Sequence, residues 1–198
     1  CAVGAWFAGG IANRWGRVPV MIVAAILFFI SAIGSGFAFG VIDLIVWRVI
    51  GGLGVGAASV IVPAYIAEVS PAGIRGRLGS LQQLAIVLGI FAALLSNALL
   101  AGISGGAAEV LWFGVPAWRW MFVVAAIPAL VYGLMALRLP ESPRYLVLRG
   151  DTDKASQVLL DFGGTSDVNL KIQQIRDSLE SEEKESLRDL RGSALGLR

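Results

Sequence analysis

The sequence predicts an all-α, polytopic membrane protein that ends in a soluble helical segment, and three observations predict it. Hydrophobic residues make up 57% of the 198, charged residues only 15%, and the mean hydropathy is +0.76, where a soluble domain carries about 25% charged residues. Apolar runs recur at the length of about 20 residues that a helix needs to cross a bilayer. The charges also segregate: they are sparse and sit at the ends of apolar runs before residue 138, then dominate from Asp151 onward.

Taken in order, a partial span covers Cys1–Ala12 and ends at the polar turn Asn13-Arg14-Trp15-Gly16-Arg17. Full spans follow at about 18–39, 43–67, 78–103 and 118–139. Pro63 lies near the end of one of these and Pro128 inside another, which neighbouring helices in a bundle can accommodate. If the Asn13 turn is cytoplasmic, the loops on that side hold Arg14, Arg17, Arg75, Arg77, Arg138, Arg144 and Arg149. The opposite loops, near 39–42 and 102–117, hold no arginine. The positive-inside rule fixes this orientation and leaves Trp112, Trp118 and Trp120 at the outer interface. Beyond Arg149, Asp151 or Thr152 caps a helix with Ala155, Val158, Leu159 and Phe162 on one face, ended by Gly163-Gly164. Val168, Ile172, Ile175 and Leu179 repeat at helical spacing, and Leu187 with Leu190 suggests a short third helix. The resulting division is a membrane bundle over 1–139 and a cytoplasmic segment over 140–198. The chain opens inside an apolar stretch with no initiator Met and reads as a fragment.

Several functions find no support. Without histidine there is no imidazole base, shuttle or metal ligand, and with Cys1 as its one cysteine the chain forms no internal disulfide. No catalytic constellation, metal site or cofactor site is read. The pI near 9.0 comes from arginines flanking spans and does not point to nucleic acid. Gly52-Leu53-Gly54-Val55-Gly56-Ala57 loosely mimics a dinucleotide-binding turn, but the apolar run continues through it, whereas that fingerprint needs a strand, a turn and a soluble helix.

The candidate functional residues are polar groups inside spans. Arg48 lies roughly 7 Å along its helix from Asp43. It reads either as an interfacial arginine that snorkels outward or as a buried cation awaiting an intramembrane acid, and the length of the span favours the second. Gly52 and Gly56 form the GxxxG spacing that lets helix backbones approach. Glu68 and Glu141 read as ordinary flanking charges or as partners of Arg14, Arg17, Arg75 and Arg144 in a network that locks one conformation. Gln83, Ile86, Ile90 and Asn97 share one helical face, next to Gln82. Their amides suit a hydroxyl-rich neutral ligand or hydrogen bonds between helices, and composition alone does not choose.

Together these residues resemble the sugar porter family of the major facilitator superfamily. The carriers are GGIANRWGR (Gly9–Arg17), the span with Arg48 and its glycine stripe, PAYIAEVSP (Pro63–Pro71) with Arg75-Gly76, and PESPRYL (Pro140–Leu146), in family order and spacing. Val18 departs from the pattern, which usually has a second basic residue there, and implies one salt bridge fewer. The resemblance implies part of the N-terminal six-helix bundle of a major facilitator fold, from the end of the second helix through the sixth, followed by cytoplasmic linker helices. It implies transport of a monosaccharide by alternating access with proton symport, in the lipid bilayer of the plasma membrane, completed by a C-terminal half of the same transporter. Gln83 would bind sugar hydroxyls, with Ile86, Ile90 and Asn97 on the same wall. Arg48 would couple protons by pairing with a first-helix aspartate. Arg14, Arg17, Glu68, Arg75, Glu141 and Arg144 would form an inner gate. An uncoupled facilitator for sugars or polyols is the alternative, and a transporter-like sugar sensor a more distant one.

Overall fold

The computed structural model describes residues 1–71, 73–163, 168–179 and 181. Eight helices and one small hairpin follow in chain order: α1 (Ala2–Trp15), α2 (Arg17–Gly36), α3 (Val41–Val69), α4 (Arg75–Ser104), β1 (Val110–Trp112), β2 (Val115–Pro116), α5 (Ala117–Val124), α6 (Ala126–Ala136), α7 (Pro143–Leu148) and α8 (Thr152–Gly163). Residues 168–179 are also helical. Four segments are long and apolar enough to cross a membrane: α2, α3, α4 and the α5–α6 pair. They match the four full spans expected from the sequence, and α1 supplies the partial one. Leu187 and Leu190 lie outside the described residues.

Helix α3 is the centre of the bundle, and its glycines explain why. Gly51 and Gly54 face α2, where an added Cβ would press on Ser31 and on the Ala24 carbonyl. Gly52 and Gly56 face the start of α1, and a Cβ at Gly56 would collide with the Cys1 carbonyl and the Ala5 amide. The stripe therefore paves two faces, and the GxxxG spacing serves the approach of α1, as small residues do between membrane helices. The principal apolar core lies between α1, α2, α3 and α6, with Ala8, Ala12, Met21, Ile61, Tyr65 and Ala136 buried.

Two features depart from expectation. The last span is broken at Ala125, three residues before Pro128, and the Ala125 N–H turns back to Phe122 O at 3.1 Å. Proline lacks the N–H that would bond the carbonyl four residues earlier and its ring crowds that carbonyl, so the helix tightens there. The outer loop, for which the sequence suggested no strand, holds the β1–β2 hairpin, closed by Phe113 and Gly114 with φ of 54° and 74°. Two successive positive φ values give the tight two-residue turn whose twist matches paired strands. Trp112 and Trp120 meet edge to face at 5.6 Å beside it.

After α6 a short stretch leads to α7 and α8, and Val147, Ala155, Leu159 and Ile172 bury a second, smaller apolar cluster with the 168–179 helix. The Asp151 carboxylate accepts from the Lys154 N–H at 3.3 Å and caps α8.

Candidate functional site

Two places collect the residues singled out in the sequence. The first is the end of the bundle where α1 turns into α2 and where α3 ends, called the inner end after the positive-inside reading. Arg17 donates to Glu68 Oε1 at 2.9 Å, and both side chains are largely buried, at 9% and 15% exposure. Arg17 also donates to the Ala12 carbonyl at 3.2 Å. The second Glu68 oxygen accepts the Ser142 hydroxyl, so the carboxylate ties α3 to both α2 and the start of α7.

Glu141 does something the sequence reading did not foresee. Its carboxylate accepts backbone N–H groups: Arg17 at 2.9 Å, Val18 at 3.3 and 3.4 Å, and Ser142 at 2.9 Å. A helix leaves its first N–H groups without internal partners. Here the Gly16 N–H bonds Ala12 O at 2.9 Å, Glu141 takes those of Arg17 and Val18, and Pro19 has none. Every donor at the start of α2 is satisfied, and the carboxylate sits where the helix dipole favours an anion. Gly16 makes the approach possible: its φ is +102°, and a Cβ there would run into the Glu141 carboxylate and lie 3.2 Å from the Tyr145 ring. Tyr65 donates to Pro140 O at 2.9 Å and Tyr145 to Arg14 O at 3.3 Å, pinning both ends of the PESPRY stretch.

The side chains of two arginines of the expected network stand apart from this cluster. The Arg14 and Arg75 side chains are exposed and have no ion pair among the described residues; Arg14 contributes its carbonyl instead. Arg144 is half-buried in the first turn of α7. Val18, the departure from the family pattern, buries its side chain in the core and leaves its N–H to Glu141.

The second place is a cavity of about 480 Å³ between α2, α3 and the α5–α6 break. Arg48 lies on its wall with Phe28, Ser31, Phe122 and Tyr132. The rotation of α3 that points Arg48 there is set by its contact with α2. The Trp47 indole lies over Gly34, where a Cβ would overlap it, and Ser31 Oγ donates to the Trp47 carbonyl at 2.7 Å. Residues 48, 52 and 55 then face the cavity together. Among the described residues Arg48 has no carboxylate partner; its guanidinium carbon stands 5.2 Å from the centre of the Phe122 ring.

Gln83, Ile86, Ile90 and Asn97 do not line this cavity. They run along α4, a helix with one buried residue, Leu100. Gln83 is exposed, and Ile86 and Ile90 are 48% and 58% exposed. The chain therefore presents the amide face of α4 and the Arg48 cavity as separate surfaces.

Comparison with known proteins gives this arrangement its context. Residues 1–195 match the family described as "Sugar (and other) transporter". The chain belongs to the sugar porter family of the major facilitator superfamily. It is 56% identical over 197 residues to the glucose transport protein of Synechocystis sp., covering 99% of this chain and 42% of that protein. It is 37% identical to the D-xylose-proton symporter of Escherichia coli, covering 91% and 40%. Among solved structures, a major facilitator proton:xylose symporter bound to 6-bromo-6-deoxy-D-glucose superposes with a TM-score of 0.86 at 34% identity, covering 98% of this chain and 44% of that one. The E. coli xylose transporter in a partially occluded inward-open conformation gives 0.83 at 35%, covering 92% and 46%. The chain thus spans less than half the length of these relatives. Within a sugar porter, the four spans and the partial one make it part of the N-terminal half of an integral, multi-pass membrane protein.

Sequence reasoning gave no individual role to Phe122, Ser142, Tyr65, Tyr145 or Gly16. Ser142 precedes a proline at a helix start, a recognisable capping position. The ring under Arg48 left no signal in the sequence, because it depends on the break at Ala125.

Proposed function

We propose that the full-length transporter carries a monosaccharide across the plasma membrane by alternating access, with a proton moving in the same direction. One observation carries the reading. A cation, Arg48, stands on a largely apolar cavity wall inside a membrane span, with no carboxylate beside it among the described residues. A charge held in a span without a partner marks a pathway for ions or substrate. The relatives add weight, since their names include a glucose transport protein, a D-xylose-proton symporter and an arabinose-proton symporter.

In this reading Arg48 pairs with an acid supplied by the rest of the protein when that acid is ionised and releases it on protonation. Gln83 and Asn97 hydrogen-bond sugar hydroxyls, with Ile86 and Ile90 as the apolar floor between them. The Arg17–Glu68–Glu141 cluster, with Arg14, Arg75 and Arg144 around it, holds the inner ends of the helices together in one state and parts in the other, while the two halves rock about a midplane site. Residues 1–139 form the membrane bundle and 140–198 a cytoplasmic linker to the second half.

The test is uptake of labelled glucose and xylose into liposomes carrying the full-length protein, with and without an inward proton gradient. Accumulation above the outside concentration, driven by the gradient, is the expected result. Equilibration without accumulation identifies an uncoupled facilitator, and no uptake of either sugar overturns the assignment of substrate.

A further inference from the structure

We propose that Phe122 is a positioning residue for Arg48, a resting seat that holds the guanidinium in the cavity without using up its hydrogen-bonding capacity. The proposal rests on the transport reading above and deepens it. The guanidinium carbon lies 5.2 Å from the ring centroid, inside the roughly 6 Å range in which a cation is attracted to an aromatic face. The ring itself is held. Phe122 meets Trp118 edge to face at 6.1 Å, and its carbonyl accepts from Ala125 at the helix break. The next residue, Val123, lies against Gly36, where a Cβ would overlap it.

A ring face attracts the cation but accepts no strong hydrogen bond, so the guanidinium N–H donors stay available. A carboxylate in that place would saturate them. Seated on Phe122, Arg48 can pass to an acid arriving from elsewhere in the protein and return when that acid takes up a proton. Arg48 is the one charged residue on the cavity wall among the described residues. The other titratable side chains there are Cys1 at the start of α1 and Tyr132 on α6; α2 and α5 contribute none.

The test uses the full-length protein in liposomes with Phe122→Leu, Phe122→Tyr, Arg48→Met and the Phe122→Leu/Arg48→Met double variant. Thermal unfolding midpoints are read as a double-mutant cycle. The double variant is expected to lose less than the sum of the single losses. Proton-driven uptake is read against pH. Without its seat the guanidinium stays with the acid and keeps it ionised, so Phe122→Leu is expected to move the pH of half-maximal uptake down by about one unit. Phe122→Tyr, which keeps the ring, retains the wild-type profile. Additive midpoints overturn the contact. A parallel fall of uptake at every pH, with Tyr no better than Leu, overturns the positioning role and leaves Phe122 as packing. A wild-type protein that shows no proton coupling overturns the transport reading instead, and the stability cycle still decides the contact.

Discussion

The inner end of the bundle and the long helix α4 are built to opposite rules. At the inner end Glu68, Glu141, Arg17, Ser142 and Tyr65 find partners within the chain, and the first-turn donors of α2 are all accounted for. Along α4 thirty residues bury one side chain, and the face with Gln83, Ile86, Ile90 and Asn97 touches neither the Arg48 cavity nor the main core. Both regions come from comparably apolar spans, so hydropathy does not separate them. The difference lies in where the polar groups are satisfied. The inner cluster is a finished piece of structure, whereas the α4 face is left largely exposed among the described residues.

Substitutions in the full-length protein can break this comparison. The largest effect is expected at the inner end. Glu68→Ala leaves the Arg17 guanidinium buried without its carboxylate, and such losses cost about 3–5 kcal/mol, visible as a lowered unfolding midpoint. Gly16→Ala comes next. It places a Cβ at φ +102° against Glu141, and strained backbone of this kind costs about 1–3 kcal/mol. It should also loosen the start of α2, read as faster amide exchange at Arg17 and Val18. Gln83→Ala is expected to leave the unfolding midpoint unchanged and raise the sugar KM about tenfold, the equivalent of about 1.4 kcal/mol.

The smallest effect sharpens the comparison by showing that a charge pair alone does not make a cluster. The Lys154 ammonium donates to Asp151 at 2.8 Å on the exposed start of α8. That hydrogen bond holds the Asp151 carboxyl below its ordinary value of 3.8. A carboxylate lowered on folding stabilises above its unfolded value, and the contribution disappears as pH falls below that value. Because the pair is solvent-screened, Lys154→Ala should shift the acid unfolding profile barely beyond error.

The spans were legible in the sequence because a bilayer demands long apolar runs, and α3 and α4 differ from expectation by one to three residues at their ends. Pro128 was visible, but the break it causes at Ala125, and hence the position of Phe122, follows from local backbone geometry. The hairpin was missed because Phe113-Gly114 is an unusual pair for a tight turn and its strands are only three and two residues long. The charged residues of the inner end were all picked out, yet the backbone N–H groups that Glu141 accepts were not. That choice depends on Gly16 and Pro19 leaving two donors open where the α6–α7 connection arrives. Gly52 and Gly56 were read as a close approach, and the structure adds a second one, of Gly51 and Gly54 to α2.

In the proposed transporter the inner cluster stabilises the fold while the α4 face serves the sugar. The most direct measurement compares wild type, Glu68→Ala and Gln83→Ala in one full-length preparation, reading the unfolding midpoint and the sugar KM together. A lowered midpoint is expected for Glu68→Ala, and for Gln83→Ala an unchanged midpoint with a raised KM. A Gln83→Ala protein that loses stability as Glu68→Ala does, with its KM unaltered, would contradict it and make the α4 face a packing surface.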